Sequence, residues 1–85
     1  MYLHLGKGKI IAKDEIIGIF DLDITSQSHL TRKYLSMAEK AGNVENAAED
    51  IPKSFVVCKS REGTRLYLSQ MSSATLLKRC EQNSL

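Results

Sequence analysis

Cysteine, proline and tryptophan are scarce: the 85 residues hold two cysteines, one proline and no tryptophan. Two thiols, Cys58 and Cys80, are too few for the disulfide framework of a small secreted scaffold. Long hydrophobic runs are missing as well. Phe55-Val56-Val57-Cys58 is among the longest, whereas a spanning helix needs about 20 apolar residues, so no transmembrane segment is expected. The opening Met1-Tyr2-Leu3-His4-Leu5-Gly6-Lys7 lacks the basic start and apolar stretch of a signal peptide, which makes a cytoplasmic location the expectation. What the chain does have is an ordinary globular balance, 42% hydrophobic and 26% charged, unlike the composition of disordered chains. The length fits a single domain, 1–85, with an ordered core over about 2–80 and a frayed tail. Folding a chain this short removes only about 60–65% of its surface from water, so self-association has stability to add.

The net charge of +2 conceals a block pattern. Residues 1–13 carry Lys7, Lys9 and Lys13 and no acid; residues 14–52 are acidic on balance; residues 53–79 set six basic side chains against Glu62 alone. Basic blocks that meet in space form a surface suited to polyanions. Left apart, the same lysines are only a solvated face.

Residues 2–5 and 9–12 flank Gly6-Lys7-Gly8, which predicts a hairpin. Residues 15–22 are β-branched and aromatic and predict a third strand, with Gly18 marking a bulge or a close approach. The polar stretch Asp23 to Ser28 leads into an amphipathic helix, capped by Ser26 or Ser28 and stopped at Gly42-Asn43. Leu30, Tyr34, Leu35, Ala38 and Ala41 share one helix face; Arg32, Lys33, Ser36, Glu39 and Lys40 share the other. A short edge strand at Val44 precedes a polar loop ending at Pro52. Residues 54–59 run apolar without alternation, as in a strand covered on both faces. A turn at Ser60-Arg61-Glu62-Gly63 leads to a partner strand, with Leu66 and Leu68 on one face and Arg65, Tyr67 and Ser69 on the other. Ser72 or Ser73 caps a terminal helix. The fold class is α+β: a small, mainly antiparallel sheet of about five short strands, one amphipathic helix and a short C-terminal helix.

Catalytic and cofactor motifs do not emerge. Gly8-Lys9 is followed by Ile10, not by the hydroxyl residue that holds magnesium in a phosphate loop, and Ile11 stands where a dinucleotide fingerprint needs its third glycine. His4, His29, Cys58 and Cys80 are too scattered for a zinc site, and Asp21 with Asp23 has no further ligand at useful spacing. No nucleophile is set beside a base. The expectation is a protein that is not an enzyme, with no cofactor, no metal and no small-molecule substrate.

Several segments together carry a likeness. They are Tyr2-Leu3-His4-Leu5-Gly6, Asp14 through Asp21, Pro52-Lys53-Ser54-Phe55-Val56-Val57, and Tyr67 through Arg79 with its Ser72-Ser73-Ala74-Thr75-Leu76-Leu77-Lys78-Arg79 ending. In order and spacing the chain resembles the RemA/RemB family of extracellular matrix regulatory proteins over positions 2–80, most nearly its RemB branch. The resemblance implies a LytTR-like fold and a bacterial, DNA-binding transcription regulator of matrix and biofilm genes, acting as a homo-oligomer, a ring in the RemA branch. That branch places an arginine after the second strand and a basic pair before the buried strand. Here those places read Lys13-Asp14-Glu15 and Ile51-Pro52-Lys53. A second reading stays beside the first: an oligomeric assembly or adaptor protein without strong DNA contact.

For double-stranded DNA the candidate contacts are Lys7, Lys9, Lys13 and Lys53, with Arg32 and Lys33 second. Arg65 and Tyr67, side by side on one strand face, are candidates for the oligomer interface, where such residues are enriched. Two to four phosphate contacts per subunit give only nonspecific affinity, about 10⁻⁴ to 10⁻⁶ M. Linking copies converts later contacts into intramolecular ones, so assembly is part of the reading.

Overall fold

The computed structural model describes residues 1–22 and 29–82, and for 29–31 and 82 the backbone alone. The elements run β1 (Tyr2–Gly6), β2 (Lys9–Ala12), a 3-10 turn (Lys13–Glu15), β3 (Ile16–Asp21), α1 (His29–Lys40), β4 (Val44–Asn46), β5 (Ser54–Ser60), β6 (Gly63–Ser69) and α2 (Ser73–Gln82). The α+β class and the two helices are as expected. The strands number six among the described residues, in two sheets: a β1-β2 hairpin and a four-stranded sheet ordered β3-β5-β6-β4. All pairings are antiparallel except β4 with β6, which is parallel. Parallel pairing follows from chain direction. β4 ends and β5 begins at the same end of the sheet, opposite Leu68 and Ser69, so these two strands run in opposite directions; β6, returning antiparallel to β5 and lying between them, is therefore parallel to β4.

The turn chemistry is visible in the backbone. Lys7 and Gly8 have φ of 49° and 73°, the pair of positive values a two-residue type I′ turn requires. At the end of α1, Gly42 has φ 74°, Asn43 N–H donates to Ala38 O at 2.9 Å and Gly42 N–H to Glu39 O at 3.0 Å. Those two bonds are the Schellman stop. At the start of α2, Ser72 Oγ accepts from Thr75 N–H at 3.1 Å, so Ser72 is the N-cap. The β3 bulge falls between Ile16 and Gly18. The expected caps Ser26 and Ser28, and Asp23, lie outside the described residues, as do the side chains of His29 and Leu30.

β5 divides the interior. Val56 and Cys58 point into a cluster with Leu3, Leu5, Ile11, Ala47 and Leu76, built from the hairpin and α2. Phe55 and Val57 point the other way, into a cluster with Leu66, Leu68, Leu22, Val44, Leu35 and Ala38, beneath α1. The two faces of β5 are therefore both dry, which accounts for its unbroken apolar run. Among the described side chains of α1, Leu35 and Ala38 pack inward, whereas Tyr34 and Ala41 are exposed at the margin of the expected face.

The two buried serine hydroxyls are satisfied and pin the layers together. Ser69 Oγ donates to Leu5 O at 2.8 Å, tying the hairpin to β6, and Ser54 Oγ donates to Met71 O at 2.7 Å, tying β5 to the loop before α2. The Lys13 ammonium donates to Cys80 O at 2.5 Å. That carbonyl lies in the last turn of α2, where orphan acceptors and the negative dipole end favour a cation. Lys13→Met is expected to cost about 1 kcal/mol in urea unfolding, the usual worth of such a bond; an unchanged midpoint would show that α2 docks without it.

Candidate nucleic-acid interface

The six DNA-contact candidates separate into two groups. Lys9 and Lys13 are engaged within the chain. Lys9 Nζ lies 3.0 Å from Glu45 Oε2 and 5.1 Å from the centroid of the Tyr67 ring, so it clamps β2 onto β4 and β6. A half-exposed ion pair and a cation–π contact are each worth about 1 kcal/mol or less. Lys13 holds the end of α2, as above.

Lys7, Lys53, Arg32 and Lys33 are exposed, and none has an ion-pair partner among the described residues. Their placement follows from hydrogen bonds. Lys53 N–H donates to Ser69 O at 2.8 Å, and Leu22 N–H to Lys53 O at 2.9 Å, which fixes Lys53 at the Ser54–Ser69 end of the sheet. The hairpin tip is drawn to the same end by the Ser69–Leu5 bond and by Gly6, whose α-carbon lies so close to Ala47 that a β-carbon would sit 2.7 Å from Ala47 O. Lys7 therefore projects beside the loop that carries Lys53. The C-terminal half of α1, with Met37 and Ala41, lies over Thr64 and Leu66 at the opposite end. Lys7 and Lys53 thus lie at one end of the sheet, Lys7 on its hairpin side, whereas Arg32 and Lys33 stand on α1, which packs over the opposite sheet face. Glu49 and Asp50 lie in the intervening loop and temper the potential; Glu49 N–H donates to Gln70 Oε1 at 2.8 Å, which pins that loop to the end of β6.

Arg65 and Tyr67 are half-buried within the subunit, on the sheet face toward the hairpin. Tyr67 packs against the first cluster beneath Lys9. Arg65 Nε is buried with no hydrogen-bond partner among the described residues. Cys58 is buried, and desolvation, then the nearby Glu15 carboxylate, pushes its thiol up to about 11. It stays protonated at neutral pH and acts as a small hydrophobic residue. Among the described residues no three His, Cys, Asp or Glu side chains group as metal ligands, and no helix is long and apolar enough to cross a membrane. Sequence reasoning missed Glu45 and the Cys80 carbonyl. Each meets its lysine only through the tertiary fold, and no local spacing announces either pair.

Fold and surface together define a small α+β module with a cationic end, scaffolded by a clamped hairpin. Its relatives make the assignment specific. Residues 2–80 match the family model described as RemA-like, extracellular matrix regulatory protein A-like, so the chain belongs to this family. It is 32% identical over 81 residues, 95% of this chain and 91% of the relative, to extracellular matrix regulatory protein B of Bacillus subtilis (strain 168).

Proposed function

We propose that the chain regulates extracellular matrix and biofilm genes as a DNA-binding transcription factor, working in the cytoplasm as a homo-oligomeric ring and not as an enzyme. The observation that carries this reading is the placement of exposed Lys7 and Lys53 at one end of the sheet, neither with an ion-pair partner among the described residues. Family membership and the regulatory name of the Bacillus subtilis relative support it. A LytTR-like mode of DNA contact belongs to the same reading. Lys9 and Lys13 act as scaffolding: they hold the hairpin and α2 so that Lys7 is presented at a fixed position. The end offers lysine point charges, so affinity is chiefly phosphate contact and promoter choice rests on duplex shape.

The test is fluorescence anisotropy with duplex DNA across a salt series. The expected result is binding that weakens steeply with salt, with a slope of about −0.9 for each phosphate contact in the assembly. Absence of binding at low salt, with the protein still assembled in light scattering, would favour the second reading, an assembly or adaptor protein. The acids Glu49 and Asp50 beside Lys53 are the observation on its side.

A further inference from the structure

On the sheet face opposite the hairpin, α1 leaves an apolar stripe uncovered. Tyr34 is 46% exposed and Met37 61% exposed, and with Ala41 they follow one another at helical spacing. Beside them runs a groove of about 200 Å³ between α1 and the start of β6, with Thr64 on its far wall and half-buried Ala38 and buried Leu66 at its foot. Single apolar side chains are ordinary on a surface, whereas a continuous stripe next to a recess marks an interaction site. Charge is sorted around it. Met37 has Lys33 one turn before it and Lys40 one turn after it on the same side of the helix. Neither lysine has an ion-pair partner among the described residues. Arg32 and Glu39 lie past the Leu35–Ala38 seam, on the side away from Met37, and offset each other. The far rim, Asn43 and Thr64, is neutral.

We propose that this face docks an acidic amphipathic helix of a different protein. The proposal goes beyond DNA binding and assembly and rests on neither. From Tyr34 to Ala41 the stripe rises about 10 Å, two helical turns. Over that length a second helix lays down its apolar face and sends a side chain into the recess above Leu66. Carboxylates along the margin of that helix meet Lys33 and Lys40, so the rim selects for acid. Met37, unbranched and polarizable, adapts its shape to the incoming side chains. The same two lysines count against a second copy of this chain. Packed antiparallel on its own copy, α1 sets Lys33 against the neighbour's Lys40; packed parallel, it sets each lysine beside its own counterpart. Either way like charges meet, with no acid on that side of the helix to separate them. A duplex would meet apolar side chains where it needs donors to phosphate. A lipid surface is flat on this scale and does not reach the foot of the groove.

The test is anisotropy with a fluorescein-labelled synthetic helix of about four turns, leucines on one face and glutamates at its margins. Saturable binding is expected, at least about tenfold tighter than that of the same peptide with lysine for glutamate or with its residues scrambled. Lys33→Glu with Lys40→Glu is expected to reverse the preference between the glutamate and lysine peptides. Tyr34→Ser with Met37→Ser is expected to weaken the glutamate peptide at least about tenfold and to leave duplex affinity and the mass in light scattering unchanged. Melting curves confirm the fold; if the double variant melts early, Met37→Ser alone replaces it and is read in the same way. No preference for the glutamate peptide, or equal affinity in the serine variant, overturns the proposal. So does a smaller assembly in the serine variant, which assigns the face to a second copy, or a matching loss of duplex affinity, which assigns it to DNA. Sedimentation of the wild type but not the serine variant with phosphatidylglycerol vesicles overturns it in favour of lipid. A wild type that binds no DNA counts against the proposed function alone and leaves this test intact.

Discussion

Gly6→Ala is expected to remove about 3 kcal/mol of stability or more. Gly6 has φ 132°, a backbone region essentially closed to residues with a β-carbon and costing about 1–3 kcal/mol when forced. The added carbon would also meet Ala47 O at 2.7 Å. That oxygen belongs to backbone held by the Ala47 N–H to Leu68 O bond of 2.9 Å, so it cannot swing aside as a side chain would. A domain of this size has only several kcal/mol in total, and the change also loosens the tip that carries Lys7. Urea unfolding measures it; a loss below about 1 kcal/mol would mean that hairpin and β4 slide apart at little cost. Gly8→Ala is the contrast. Gly8 sits in open space and carries only the turn penalty, about 1 kcal/mol.

The second large effect concerns binding. Lys7→Asn combined with Lys53→Gln is expected to lower DNA affinity at least tenfold and to flatten the salt slope by about 0.9 for every phosphate contact removed. Because assembly repeats the loss in each engaged subunit, the deficit grows with the number of copies on the duplex. Both side chains are exposed, and asparagine tolerates the φ of 49° at position 7, so the fold is expected to survive. Lys59→Gln with Arg61→Gln removes the same charge from the opposite end, beside Asp14, Glu15 and Glu62, and is expected to leave affinity nearly unchanged. Equal losses in the two pairs would mean that DNA reads net charge and not the Ser54–Ser69 end.

How far the sequence could be read depends on the range of the interaction. The hairpin, the stop at Gly42-Asn43, the bulge at Gly18 and the two-faced strand at 54–59 were legible because each is written within a few adjacent residues. The split of Lys9 and Lys13 from Lys7 and Lys53 was not. Lys9 meets Glu45, and Lys13 meets the Cys80 carbonyl, across 36 and 67 positions of chain. Charge blocks record how many cations a segment has, and the fold decides which of them remain available. Arg65 and Tyr67 show the same limit. Alternation assigned them to one face, and the placement of the hairpin over that face half-covered them. The parallel β4–β6 pairing also escaped local reading, since three residues with no turn of their own carry no sign of direction.

The central position of β5 has a mechanical meaning. Val56 and Cys58 serve one apolar layer while Phe55 and Val57, one residue away, serve the other. Neither layer can loosen without shifting a strand that the other is standing on. The subunit therefore opens as one cooperative unit, and the hairpin end that presents Lys7 is coupled through that strand to the helix carrying Arg32 and Lys33. The cations are borne on separate elements that stand on the two faces of this one strand, so its placement sets the spacing between them.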